Sequence, residues 1–221
     1  MRLLLTSSGM RDPSINEALI ELLGKPIAES SALCIATGMY PFAGGPVGAY
    51  RFISGQTPGS ITGLGWRSMG VLELTALPSI ERANWEADVR RTDALLVWGG
   101  DVFYLCRWMR ESGLADLLPT LPHLVYVGVS AGAMVTAPVF GETFNKVDKP
   151  FAIGEGLGLV DFALLPHVDH EDHPESSMAK VERMAAHVRV PTYAIDDETA
   201  IKVVDGTVEV ISEGHWRLFS S

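Results

Sequence analysis

Residues 124–134 read Leu124-Val125-Tyr126-Val127-Gly128-Val129-Ser130-Ala131-Gly132-Ala133-Met134. A short apolar run rich in valine leads straight into Gly-x-Ser-x-Gly and then into small helix formers. This is the pattern of a buried strand, a pinched turn and a helix start. A serine hydroxyl is a poor nucleophile, so acyl-transfer chemistry needs it raised on a tight bend where a base can reach it. Gly128 and Gly132 have no side chains to keep strand and helix apart. The helix start leaves backbone N–H groups without partners, and that of Ala131 is placed to hold an oxyanion. The competing reading of the same residues is a glycine-rich turn with an inert capping serine.

On the N-terminal side, Ala94–Trp98 reads as a neighbouring buried strand that ends in Gly99-Gly100-Asp101. The Gly100 amide is a second candidate oxyanion donor; alternatively the stretch is a tight turn capped by Asp101. Further strands are expected at 3–6, 32–37, 70–76 and 123–129, and helices at 15–23, 78–91 and 102–112. Residues 37–70 contain many glycines and show no period, so a long irregular excursion or a flap beside a site is expected there. After a Gly- and Pro-rich stretch at 138–158 come a strand at 159–165 and a helix at 174–188. Short strands follow at 193–195, 200–204, 208–211 and 216–219, with turns at Gly206 and Gly214. Strand–helix alternation predicts an α/β protein with a mostly parallel sheet, helices on both faces and a C-terminal antiparallel hairpin at one edge. Sites in such sheets lie at the carboxyl ends of the strands, where Gly100 and Ser130 both fall.

The general base comes from the six histidines. His167 directly follows the strand ending at Leu165 and so emerges at the active edge. His170 and His173 lie further along a polar loop and are expected to face solvent; His123, His187 and His215 are expected to be structural or exposed. A third group must fix the imidazole tautomer. The turn Ile195-Asp196-Asp197-Glu198-Thr199-Ala200 offers three carboxylates, of which one at most is expected to serve.

Bulk composition limits the alternatives. A chain of 221 residues with 47 % hydrophobic and 20 % charged residues is expected to form one α/β domain over 1–221 with a sizeable core. A net charge of −10 leaves no basic stripe for nucleic acid. No apolar stretch approaches the roughly 20 residues that span a bilayer. Cys34 and Cys106 are expected to be buried free thiols, which fits a reducing compartment, and a cytoplasmic location is the expectation.

Taken together, Gly128-Val129-Ser130-Ala131-Gly132-Ala133, Gly99-Gly100-Asp101, Pro166-His167 and Ile195–Ile201 resemble the peptidase E (aspartyl dipeptidase) and cyanophycinase family of serine peptidases, in that family's order. The resemblance implies a flavodoxin-like, glutamine-amidotransferase-like three-layer fold and hydrolysis of small peptides through an acyl-enzyme without a cofactor. It implies Ser130 as nucleophile, His167 as base, and Gly100 and Ala131 as the oxyanion hole. The family's acid is usually glutamate; here the alignment places Asp197, one methylene shorter, with Glu198 as the neighbouring alternative. Dipeptides with N-terminal aspartate would require a cation in the pocket, for which Lys180 and Arg183 are candidates. Asp101, where the family more often has asparagine, is a further substrate-binding candidate. A homodimer is plausible by resemblance only. Two rivals remain: a metallohydrolase built on His167, Asp169, His170, Asp172 and His173, and a non-catalytic binding module using the glycine-rich loop 41–46.

Overall fold

The computed structural model describes residues 1–141 and 153–220. In chain order its elements are β1 (Arg2–Thr6), α1 (Pro13–Leu23), β2 (Ser31–Ile35), α2 (Gly45–Ile53), β3 (Ser68–Val71), α3 (Arg82–Arg91), β4 (Ala94–Val97), α4 (Val102–Glu111), α5 (Leu114–Leu117), β5 (Val125–Val129) and α6 (Ala131–Met134). They continue with β6 (Val139–Gly141), β7 (Ile153–Glu155), β8 (Ala163–Leu165), α7 (Met178–Ala185), β9 (Thr192–Ile195), β10 (Thr199–Val204), β11 (Thr207–Ser212) and β12 (Trp216–Phe219). Within the stretch 138–158, residues 142–152 lie outside the described residues.

Among the described residues, seven strands form the main sheet in the order β11-β10-β1-β5-β4-β2-β3. The five from β1 to β3 run parallel, while β10 and β11 add an antiparallel edge. Alternation along each strand divides the core in two. Leu3 and Leu5, Leu95 and Val97, and Tyr126 face one layer with the residues of α4 and α5. Leu4, Ala94, Leu96, Val125 and Val127 face the other, with α1 and α2. This is the three-layer α/β architecture expected from the sequence. The C-terminal strands are shared between two sheets: β10 and β11 pair as the hairpin, whereas β9 and β12 join β8 in a separate three-stranded sheet.

Several boundaries differ from the sequence reading. Residues 37–70 are not wholly irregular, because α2 occupies Gly45–Ile53. Pro46 opens this helix after Gly44 at φ 76, and Ala49 and Phe52 bury one face, so tertiary packing overrides the glycine content. β3 ends at Val71 rather than Ala76. The Glu73 carboxylate accepts hydrogen bonds from Thr37 Oγ1 (3.0 Å), Thr75 N (3.1 Å) and Thr75 Oγ1 (2.9 Å), which draws the chain off the sheet. β8 begins only at Ala163, because the amides of Leu159 and Val160 donate to the Thr136 carbonyl just past α6. The predicted helix at 174–188 shortens to α7, preceded by a 3₁₀ turn. Among the described residues no helix is long and apolar enough to cross a membrane. Cys34 and Cys106 are buried free thiols.

The passage from β5 into α6 sets the position of Ser130. A Cβ on Gly132 would lie 2.2 Å from the Val97 carbonyl oxygen, and one on Gly128 would lie 2.5 Å from the Gly132 oxygen. Both obstacles are backbone, which has little room to yield. Gly132→Ala is therefore expected to destabilise the fold by about 1–3 kcal/mol or more. In a chain of this size that lowers Tm by roughly 2 °C or more per kcal/mol, measurable by thermal unfolding.

Candidate active site

Ser130 has φ 52 and ψ −116, a backbone conformation that L-residues rarely adopt. It is fixed from both sides: its amide donates to the Thr6 carbonyl at 3.0 Å, and its own carbonyl accepts from the amides of Ala133 and Met134, each at 2.9 Å. The bend lifts Oγ out of the sheet at the carboxyl end of β5.

His167 follows β8 with φ 60 and is 8 % exposed. Its backbone N–H donates to Ser7 Oγ at 2.7 Å, which seats the residue against the end of β1. Its Nε2 lies 3.0 Å from Ser130 Oγ, and its Nδ1 lies 2.8 Å from Asp197 Oδ1. A carboxylate can only accept, so Nδ1 carries the proton and the Nε2 lone pair faces the serine hydroxyl.

Asp197 sits where the chain crosses from β9 to β10. Burial pushes its pKa up, but hydrogen bonds from His167, Ser8 and Ser7, together with electrostatic attraction to His167, more than offset this and hold it well below the ordinary 3.8. Ser7 Oγ donates to Asp197 Oδ1 at 2.7 Å. The turn itself is set by buried Asp196, which accepts from Thr199 Oγ1 (2.6 Å) and from the Glu198 amide (3.2 Å) and lies 2.8 Å from His215 Nδ1. Glu198 is exposed; Asp197 is the carboxylate that meets the imidazole.

The other sequence candidates fall as follows. Gly100 lines the same cavity as Ser130. Its φ of 128 suits only glycine, and a Cβ there would lie 2.2 Å from the Gly38 oxygen. Among the described residues no protein acceptor takes the amide of Gly100 or Ala131. Asp101 does not line the cavity; its carboxylate caps α4 by accepting from the Tyr104 amide at 2.8 Å. Lys180 and Arg183 are exposed on α7 and also lie outside the cavity lining; Lys180 Nζ donates to the Pro174 carbonyl at 2.8 Å. His170 and His173 are drawn into the site rather than left in solvent. His170 Nε2 lies 3.4 Å from Asp197 Oδ2, and the His173 ring lies 4.6 Å from that of His167 at 31°. The two nitrogens of His167 face Ser130 and Asp197, and among the described residues no three His, Cys, Asp or Glu side chains converge as a metal set.

The cavity beside Ser130 holds about 450 Å³, within the ~300–1,000 Å³ usual for small-molecule sites. Met39, Phe42, Pro58 and Trp98 supply apolar wall, so the 37–70 segment forms one side of it. Ser7, Ser8 and Arg11 line it from the loop after β1 and were missed in the sequence reading. Their signal was available: Ser7-Ser8-Gly9 follows a buried parallel strand, at the edge where sites form.

The sequence profile of Peptidase family S51 matches residues 3–211, and the chain belongs to that family. An uncharacterized peptidase of Listeria monocytogenes is 29 % identical over 119 residues, which cover 51 % of this chain and 57 % of that protein. A probable alpha-aspartyl dipeptidase of Drosophila melanogaster is 29 % identical over 147 residues, covering 62 % of this chain and 60 % of its own length. The chain thus spans about three-fifths of the length of these relatives. Among solved structures, a putative peptidase E protein from L. monocytogenes superposes with a TM-score of 0.68 at 21 % identity, covering 96 % of this chain and 98 % of the other. A peptidase from an acI-B1 actinobacterium superposes at 0.72 with 18 % identity, covering 100 % and 94 %. These likenesses establish the peptidase E fold.

Two outcomes follow for stability. Ser7→Ala leaves the buried His167 amide without its acceptor and is expected to cost about 1–3 kcal/mol in chemical denaturation. Asp197 titrates lower in the folded chain than in the unfolded one, so its contribution is complete above pH ~4 and is lost as pH falls further. Asp197→Asn is therefore expected to be less stable than the native protein at pH 7, with the gap closing below pH ~4 in urea unfolding.

Proposed function

We propose that the chain is a serine peptidase that cleaves short peptides through an acyl-enzyme, with Ser130 as nucleophile, His167 as general base and Asp197 as the orienting acid. The observation that carries this reading is the unbroken line of contacts from Ser130 Oγ to His167 Nε2 at 3.0 Å and from His167 Nδ1 to Asp197 Oδ1 at 2.8 Å.

In this mechanism His167 takes the Ser130 proton as Oγ attacks the scissile carbonyl carbon. Negative charge gathers on the carbonyl oxygen, and the amides of Gly100 and Ala131 stabilise it. His167 then gives its proton to the departing amine, which leaves the acyl group on Ser130. Water, deprotonated by the same imidazole, releases the acid and restores the serine. Asp197 stays ionised throughout, in keeping with its depressed pKa, and favours the imidazolium that forms between the two proton transfers.

A dipeptide with N-terminal aspartate is the proposed substrate. The probable alpha-aspartyl dipeptidase from Drosophila supports that choice. The cavity volume of about 450 Å³ supports a small peptide.

Ser130→Ala and His167→Ala are each expected to lower kcat on Asp-Leu by on the order of 10⁴-fold or more, and Asp197→Asn by about 10⁴-fold. A fluorophosphonate should label the native protein at Ser130 and fail to label Ser130→Ala, as read by mass spectrometry. Native turnover in Ser130→Ala would end the reading.

A further inference from the structure

Arg11 stands apart from every other residue around the cavity. Of the side chains that line it, only the Arg11 guanidinium carries a permanent positive charge; the wall about it comes largely from Met39, Phe42, Pro58 and Trp98. Among the described residues Arg11 forms no ion pair, although the chain carries a net charge of −10. The neighbouring carboxyl, Asp12, has its pKa raised by burial and by Glu213, Glu198 and Asp196, and Arg11 only partly counters them.

The loop that carries Arg11 is braced. The Met10 amide donates to the Gly59 carbonyl at 3.0 Å, and the Arg11 amide donates to the Gly9 carbonyl at 3.2 Å. The arginine stem crosses the Gly59 backbone closely enough that a Cβ there would meet Nε at 3.4 Å and Cδ at 3.5 Å. A guanidinium held in this way, at an apolar cavity shared with a serine–imidazole pair, matches a planar anion able to accept two parallel hydrogen bonds. Arg11 is exposed, as are Lys180 and Arg183 on α7, but it lines the cavity beside Ser130 and they do not.

We propose that Arg11 is the specificity-determining residue of this site and that it binds a carboxylate of the substrate peptide. The proposal rests on the peptidase reading above. It names the chemistry of the recognised group, which a peptide can present from an aspartate side chain or from its C-terminus.

The test compares Asp-Leu, Asn-Leu and Asp-Leu-amide with the native enzyme, Arg11→Ala and Arg11→Lys. The native enzyme is expected to prefer Asp-Leu over one of the two neutralised peptides by about 10- to 10²-fold in kcat/KM. Arg11→Ala should erase that preference mainly through KM, and Arg11→Lys should restore part of it. Loss of the Asp/Asn preference assigns the side-chain carboxylate; loss of the acid/amide preference assigns the C-terminus. The proposal is overturned if the native enzyme shows neither preference, or if Arg11→Ala keeps it while melting like the native protein.

Calorimetric binding of Asp-Leu to Ser130→Ala, with and without Arg11→Ala, reads the same contact without turnover. Equal affinity for both proteins also overturns the proposal. Fluorophosphonate labelling of the native protein reads the nucleophile separately, so failure of the catalytic reading is distinguishable from failure of the Arg11 assignment.

Discussion

The whole site hangs on one backbone torsion, the φ of 52 at Ser130. A sparsely populated positive-φ conformation at a non-glycine residue costs on the order of 1–3 kcal/mol and persists only where its surroundings over-determine it. Here they do so through the in-register pairing of β1 with β5, the Ser130 amide on Thr6, and two helix amides on the Ser130 carbonyl. The glycines at 128 and 132 permit the tight passage that these bonds require. Because β5 lies between β1 and β4, its exit is flanked by their exits, and these supply Ser7 with Ser8 on one side and Gly99 with Gly100 on the other.

The imidazole and the carboxylate come from a different layer. His167 leaves β8 of the small sheet, and Asp197 sits at the crossover where β9 of that sheet hands the chain to β10 of the main one. Two sheets must therefore hold a fixed relation for the three groups to meet, and Ser7 is the tie between them. It stands at the end of β1, accepts the His167 amide and donates to the Asp197 carboxylate. Like Ser130, His167 and Asp169 have positive φ, at 60 and 56. Strain thus gathers on both sides of the bond between hydroxyl and imidazole, where function commonly concentrates it.

What the sequence disclosed and what it hid divide along a physical line. Buried parallel strands read well, because apolar runs bounded by glycine at 94–97 and 125–129 leave few other structures open to them. Ser130 directly follows such a run and His167 lies two residues past β8, so the sequence puts both at strand ends, and the structure brings Oγ and Nε2 to 3.0 Å. α2 was hidden because its glycines mask a face that only the sheet makes apolar. The end of β3 was hidden because a side chain, Glu73, terminates it through hydrogen bonds from Thr75 and from Thr37, the latter distant in sequence. Ser7 and Arg11 were hidden for a topological reason: nothing in residues 1–11 tells that β1 will lie beside β5. Asp101, Lys180 and Arg183 have the right chemistry for a ligand site, but a helix cap claims the first and an outward helix face the other two.

The shorter acid gives a further view of the same constraint. Asp197 is short, and the turn that carries it brings its carboxylate to 2.8 Å from His167 Nδ1. The Asp196 carboxylate gathers the Glu198 amide, the Thr199 hydroxyl and His215 around itself, tightening the bend. His215 also lies 3.3 Å from Asp169 Oδ2, joining that bend to the loop of His167. Asp196 and Asp197 thus divide the labour. Asp196 holds the loops in register, which leaves both oxygens of Asp197 available: Oδ1 for His167 and Ser7, and Oδ2 facing His170 at 3.4 Å.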